Sequence, residues 1–169
     1  MTRAVLSIGS NIGDSLSHLR SVATALGSRL VARSAVYRSA PWGGVEQHDF
    51  LNAVLVAEDD AYDEWDWLRL GKQLEEAADR VRVQRWGPRS LDVDVIACDD
   101  VISDDPRLIL PHPRAHERAF VLLPWVDIEP DAALRVGDRD VPLAELLERL
   151  SAEERAGVRK QEGVGDGLW

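Results

Sequence analysis

One cysteine, two phenylalanines and two tyrosines are all of those types that 169 residues contain. A lone cysteine, Cys98, excludes an internal disulfide and points to a reducing compartment. Its neighbours Val95-Ile96-Ala97 suggest a buried structural thiol. Long apolar runs are also missing. The longest uncharged one, Ala119 to Val126, falls well short of the roughly 18 residues of a membrane span and contains Pro124. The apolar core near Met1 is too short for a signal peptide. Bases are in deficit, 20 against 30 acids, giving a net charge of −10. That balance argues against a coat for nucleic acid or an anionic membrane. No Gly-x-x-x-x-Gly-Lys-Ser/Thr loop occurs, which excludes a P-loop enzyme, and the protein-kinase signatures are absent. The expectation is a cytoplasmic protein with neither nucleic acid nor membrane as partner.

What is present has a globular balance, 45% hydrophobic and 30% charged. The length suits one domain over residues 1–169, able to bury roughly two thirds of its unfolded surface. Ala4 to Ile8 reads as a buried strand. A helix follows, with Asp14 as N-cap, Leu16, Leu19, Val22, Ala23 and Leu26 at helical spacing and Gly27 as its stop. Leu30 to Tyr37 reads as a second strand and Phe50 to Glu58 as a third. Asp60 to Asp79 predicts an acidic-ended helix. Leu91 to Cys98 predicts a fourth strand, with a short partner near Val101-Ile102. Ala115 to Val126 and Pro142 to Leu150 predict two further helices. Residues from about 152 to 169 turn polar and read as a loosely held tail. The order βαββαβ, with an additional short strand and C-terminal helices, fits a ferredoxin-like α/β sandwich.

The segment with most chemical content runs from Arg80 to Val95. Its first half carries four arginines, Arg80, Arg82, Arg85 and Arg89, with no acid among them. Trp86 and the Gly87-Pro88 break stand beside them. Guanidinium forks match phosphate oxygens, and a large aromatic in a basic loop suits a planar phosphorylated ligand. Its second half places Asp92 and Asp94 two residues apart on a strand. Their side chains share one face, with Cα atoms about 6.5–7 Å apart. Such a pair can bridge divalent cations, which take oxygen ligands, or can salt-bridge the nearby arginines. Phosphates held between Mg²⁺ and arginine would be the first case. Asn52 is the one polar side chain in an apolar strand and needs partners if buried.

Further segments complete a resemblance. These are Ile8-Gly9-Ser10-Asn11, Val36-Tyr37-Arg38-Ser39-Ala40-Pro41, Asp49-Phe50-Leu51-Asn52-Ala53, Pro111-His112-Pro113 and Arg118-Ala119-Phe120-Val121-Leu122. Together with Arg85-Trp86-Gly87-Pro88-Arg89-Ser90-Leu91-Asp92-Val93-Asp94, they stand in the order found in the 6-hydroxymethyl-7,8-dihydropterin pyrophosphokinase family of the folate pathway, which the chain resembles over roughly residues 3–130. The resemblance implies transfer of the β,γ-diphosphate of ATP to the pterin's hydroxymethyl group, with release of AMP. It implies two Mg²⁺ ions on Asp92 and Asp94, and ATP contacts from Glu75, Arg82, Arg85, Trp86, Arg89, His112 and Arg118. Arg82, Arg85 and Arg89, with the two aspartates, would be the catalytic group. The pterin would meet Ser39, Ala40, Pro41, Trp42, Phe50, Asn52, Trp86 and Phe120, stacking between the two phenylalanines. A monomer with ATP and the pterin as its only partners is expected. Two other readings are another two-metal enzyme on a ferredoxin-like sheet, such as a nucleotidyltransferase, and a non-catalytic regulatory module of the same fold.

Overall fold

In the computed structural model, which describes residues 1–40, 49–79, 90–163 and 169, the first apolar run forms strand β1 (Thr2–Ser10). Helix α1 (Ser15–Leu26) follows, capped by Asp14, whose carboxylate accepts from Ser17 N at 3.1 Å. Gly27, at φ 55°, ends it in a conformation that side chains with a Cβ rarely adopt. Strand β2 (Leu30–Arg33) and strand β3 (Tyr37–Ser39) replace the single strand expected over 30–37. The break falls at Ser34. The Ser34 hydroxyl, rather than a backbone carbonyl, accepts from Val54 N at 2.9 Å, while the Ser34 carbonyl accepts from the Trp169 indole at 2.7 Å.

Strand β4 (Phe50–Asp59) leads to helix α2 (Glu64–Asp79). That helix starts later than the expected Asp60. Asp63 N donates to Asp66 Oδ2 and Asp66 N donates to Asp63 Oδ1, both at 2.9 Å, a reciprocal capping box that fixes the start. Strand β5 (Asp92–Cys98) is followed by a hairpin of β6 (Ser103–Asp105) and β7 (Leu108–Leu110), slightly beyond the expected partner at 101–102. The expected helix over 115–126 is broken at Arg118, whose φ of −111° and ψ of 109° are extended. A 3-10 turn (Ala115–Glu117) precedes it and helix α3 (Ala119–Ile128) follows. A second hairpin, β8 (Ala133–Val136) with β9 (Arg139–Pro142), precedes helix α4 (Leu143–Arg149).

The loose tail is a correction. Residues after Ser151 form helix α5 (Ala152–Ala156) and strand β10 (Val158–Lys160), which pairs antiparallel with β3. Trp169 is buried in the main core. A polar segment can join a sheet edge through its main chain, and hydropathy does not record that bonding.

The six-stranded sheet runs β10-β3-β4-β1-β5, with β2 also on β4 and every pairing antiparallel. The first four strand positions of the chain thus lie in ferredoxin-like order. One face packs Leu6, Ile8, Leu55, Val93 and Val95 against α1 and α2. The other packs Val5, Val54, Val56 and Ile96 against α3 and α4. Among the described residues no helix is long and apolar enough to cross a membrane.

Candidate active site

Strand periodicity builds the site. On the α3 face, the rows Val5-Ser7-Gly9, Val56-Val54-Asn52 and Ile96-Asp94-Asp92 run side by side, because side chains of residues two apart share a face; Ser7 and Gly9 are level with Asp94 and Asp92, and a register shift at Val5/Leu6 leaves Ile96 beside the pair Val5 and Ala97. Each row is apolar where α3 and α4 cover it and becomes polar or small beyond them. There a cavity of about 860 Å³ opens, floored by Ser7, Gly9, Asn52, Asp92 and Asp94.

Phe50 and Phe120 line this cavity, from the start of β4 and the first turn of α3. Ser39 and Ala40 close one side. Asn52 is 4% exposed, and its Nδ2 donates to the Ser39 hydroxyl at 2.7 Å. Gly9 is the residue paired with Asn52. A Cβ on Gly9 would lie 3.1 Å from Asn52 Oδ1, so glycine is what lets the amide settle onto β1. The buried polar strand residue therefore has a definite partner and a definite orientation.

Asp92 and Asp94 are half-buried on β5 and line the same cavity. Arg118 and Arg114 line the cavity too and supply positive charge. The Arg118 guanidinium stands 5.4 Å from the centre of the Phe120 ring, a cation–π distance. Glu75 and His112 lie outside the cavity lining, against β5. Glu75 Oε1 accepts from Val93 N at 3.3 Å, holding the strand between the two aspartates. His112 N donates to Ile96 O at 2.8 Å, and its Nδ1 accepts from Arg114 N at 3.2 Å. Burial lowers the His112 pKa, the charge of Asp94 opposes this, and Arg118 and Arg114 lower it further. The expected site residues Pro41, Trp42, Arg82, Arg85, Trp86 and Arg89 lie outside the described residues.

Sequence reading had overlooked Ser7, Arg114, Glu117, Ser151, Glu153 and Glu154, all of which line the cavity. Arg114 stood two residues from the recognised His112. Glu153 and Glu154 lay in what looked like a tail and carried no signal.

Among the described residues no third His, Cys, Asp or Glu joins the aspartate pair into a ready metal cage. That donor set fits Mg²⁺, which takes one or two carboxylates and completes its shell with water and phosphate oxygens.

A family model described as 7,8-dihydro-6-hydroxymethylpterin-pyrophosphokinase matches residues 5–130. This chain belongs to that family. Within the pyrophosphokinase family, the 2-amino-4-hydroxy-6-hydroxymethyldihydropteridine pyrophosphokinase of Mycobacterium tuberculosis (strain ATCC 25618 / H37Rv) is 51% identical over 168 residues, covering 94% of this chain and 89% of its own. The protein of that name from Bacillus subtilis (strain 168) is 32% identical over 165 residues, covering 95% and 87%. A crystal structure of Plasmodium falciparum HPPK-DHPS, wild type with pteroate, superposes with a TM-score of 0.65 at 14% identity, over 88% of this chain and 42% of that one. This chain thus spans less than half of that longer protein, and the likeness concerns the pyrophosphokinase fold. The family match ends at residue 130, so β8, β9, β10, α4 and α5 lie beyond it.

Proposed function

We propose that this pyrophosphokinase-family chain transfers the β,γ-diphosphate of ATP to the hydroxymethyl group of 6-hydroxymethyl-7,8-dihydropterin, a step of folate biosynthesis, with Asp92 and Asp94 holding two Mg²⁺ ions. One observation carries the reading: Phe50, Phe120 and the buried Asn52 share a single cavity with the two aspartates. A flat bicyclic ring and a polyphosphate chain need those two environments side by side.

The aromatic side chains offer faces to the pterin ring. Asn52 supplies an amide whose orientation is set by Ser39, so that a hydrogen-bonding ring edge is read at little ordering cost. Asp92 and Asp94 would hold the ions, and bound Mg²⁺ supplies charge neutralisation at the phosphate oxygens. Glu75 and His112 act from behind, by fixing β5 and the loop after β7. Arg118 meets the phosphates within the cavity, and Arg82, Arg85, Trp86 and Arg89 of the basic segment are assigned to ATP as well. Pro41 and Trp42 are assigned to pterin binding. The pterin oxygen attacks the β-phosphorus, its proton is lost, and the bond from that phosphorus to the AMP oxygen breaks. Positioning and electrostatics carry this reaction, as in phosphoryl transfer generally.

The enzyme is proposed to act as a monomer, in the cytoplasm, on these two small molecules. Incubation with ATP, Mg²⁺ and the reduced pterin tests the function. AMP and diphosphorylated pterin should appear in equal amounts. Release of pyrophosphate instead would indicate a nucleotidyl transfer and overturn the proposal.

A further inference from the structure

Helix α3 begins without a cap from its own N-terminal residue, Arg118. The backbone N–H of Ala119 is instead accepted at 3.2 Å by Oε1 of Glu154, 35 residues further along the chain. Ala119 itself is fully buried. Glu154 is held in turn, since its own N–H donates to the Ser151 hydroxyl at 3.0 Å, the cap of α5. The α5 segment is tied to the opposite wall as well. Val158 pairs with Ser39, which accepts from Asn52, and the Arg38 Nε donates to Gln161 Oε1 at 2.8 Å.

Ala119 sits between two residues with separate tasks. Arg118 precedes it and Phe120 follows it, and both line the cavity together with Glu154. Arg118 is extended and Phe120 helical, so the peptide at Ala119 sets the angle at which the two side chains diverge. A carboxylate on that N–H makes a charge-assisted bond and favours the positive end of the helix.

We propose that Glu154 is a positioning residue for substrate binding: through Ala119 N it fixes Arg118 and Phe120 in the cavity, making the C-terminal α5–β10 segment a working wall of the site. This rests on the pyrophosphokinase reading above.

The test uses the full chain with Glu154→Ala and Glu154→Gln, steady-state kinetics for both substrates and thermal unfolding. Glu154→Ala should raise KM for the pterin and for ATP about five- to tenfold, the loss of roughly one charge-assisted hydrogen bond, with kcat within about twofold. Glu154→Gln retains an acceptor oxygen and should recover most of the loss. A merely structural role would lower the active fraction, and hence kcat, while leaving both KM values unchanged, and that result overturns the proposal. So does a glutamine variant as impaired as the alanine variant, because an acceptor oxygen on the Ala119 N–H would then contribute nothing to substrate binding. Wild-type KM values in Glu154→Ala remove the role of Glu154 alone. Failure of the wild-type chain to release AMP removes the activity, and the positioning role with it.

Discussion

Replacing Gly9 by alanine probes the site with a single methyl group. The new Cβ would stand 3.1 Å from Asn52 Oδ1, 3.7 Å from Leu51 O and 3.8 Å from Phe50 Cδ1. Only the first contact is tight, so the cost falls on one amide. Backbone retreat is restricted, because Gly9 is paired with Asn52 on one side and Asp92 on the other. The amide is restricted too, since its Nδ2 is bonded to the Ser39 hydroxyl at 2.7 Å. Opening the contact by a few tenths of an ångström would bring that bond to the long end of the normal range. Overpacking of this kind costs about 1–3 kcal/mol, and one close contact places Gly9→Ala near the lower end. If about 1.4 kcal/mol is felt at the pterin edge that Asn52 reads, the dissociation constant rises about tenfold. Calorimetry with the reduced pterin and a non-hydrolysable ATP analogue measures it. A double-mutant cycle with Asn52→Ala isolates the cause, because removing the amide empties the space and should abolish most of the methyl's effect. An unchanged pterin affinity in Gly9→Ala, or a penalty that persists in full without Asn52, would refute the reasoning.

Other perturbations test separate parts of the structure. Asp92→Ala and Asp94→Ala should each lower turnover about a thousandfold or more with circular dichroism unchanged, since each removes an anchoring oxygen for the ions; near-normal turnover in either would sink the two-ion assignment. Trp169→Ala should lower unfolding stability by about 3–5 kcal/mol in a denaturant titration, because a buried indole is lost together with its bond to the Ser34 carbonyl. Burial pushes the Cys98 thiol up from 9.0 to about 11. The native state thus favours the neutral thiol, so its contribution is intact below pH about 9 and is lost as pH rises towards about 11. The stability difference between wild type and Cys98→Val should change over that range and stay constant below it, and native Cys98 should resist alkylation at pH 8.

The aspartate pair was legible because strand periodicity is local: Asp92-Val93-Asp94 can only place two carboxylates on one face and a valine on the other. Asn52 stood out for a similar reason, as a polar interruption in an apolar strand. The bonds that orient these groups were not legible. Ser39 and Asn52 belong to different strands, and their pairing depends on a register that neither segment encodes alone. The break between β2 and β3 had the same origin, since it needs a serine hydroxyl to displace a carbonyl and a distant tryptophan to take the carbonyl released. The capping box of Asp63 and Asp66 was within reach of sequence reading, but an acidic first turn blurred where the helix began.

Sequence alone determined the alternation of strands and helices, the arginine-rich segment followed by two aspartates, and the absence of competing nucleotide motifs. These are properties of neighbours in the chain, governed by periodicities of 2 and 3.6 residues and by local charge. Tertiary structure decided that three strand rows become polar or small within one residue pair of one another, where the helical layer ends, and that a cavity opens there. It also decided that the segment after Ser151 is part of that cavity's wall. Residues such as Glu154 and Val158 act there through a backbone N–H and a strand pairing, interactions whose energy depends on which groups meet in space and leaves no mark on hydropathy or composition.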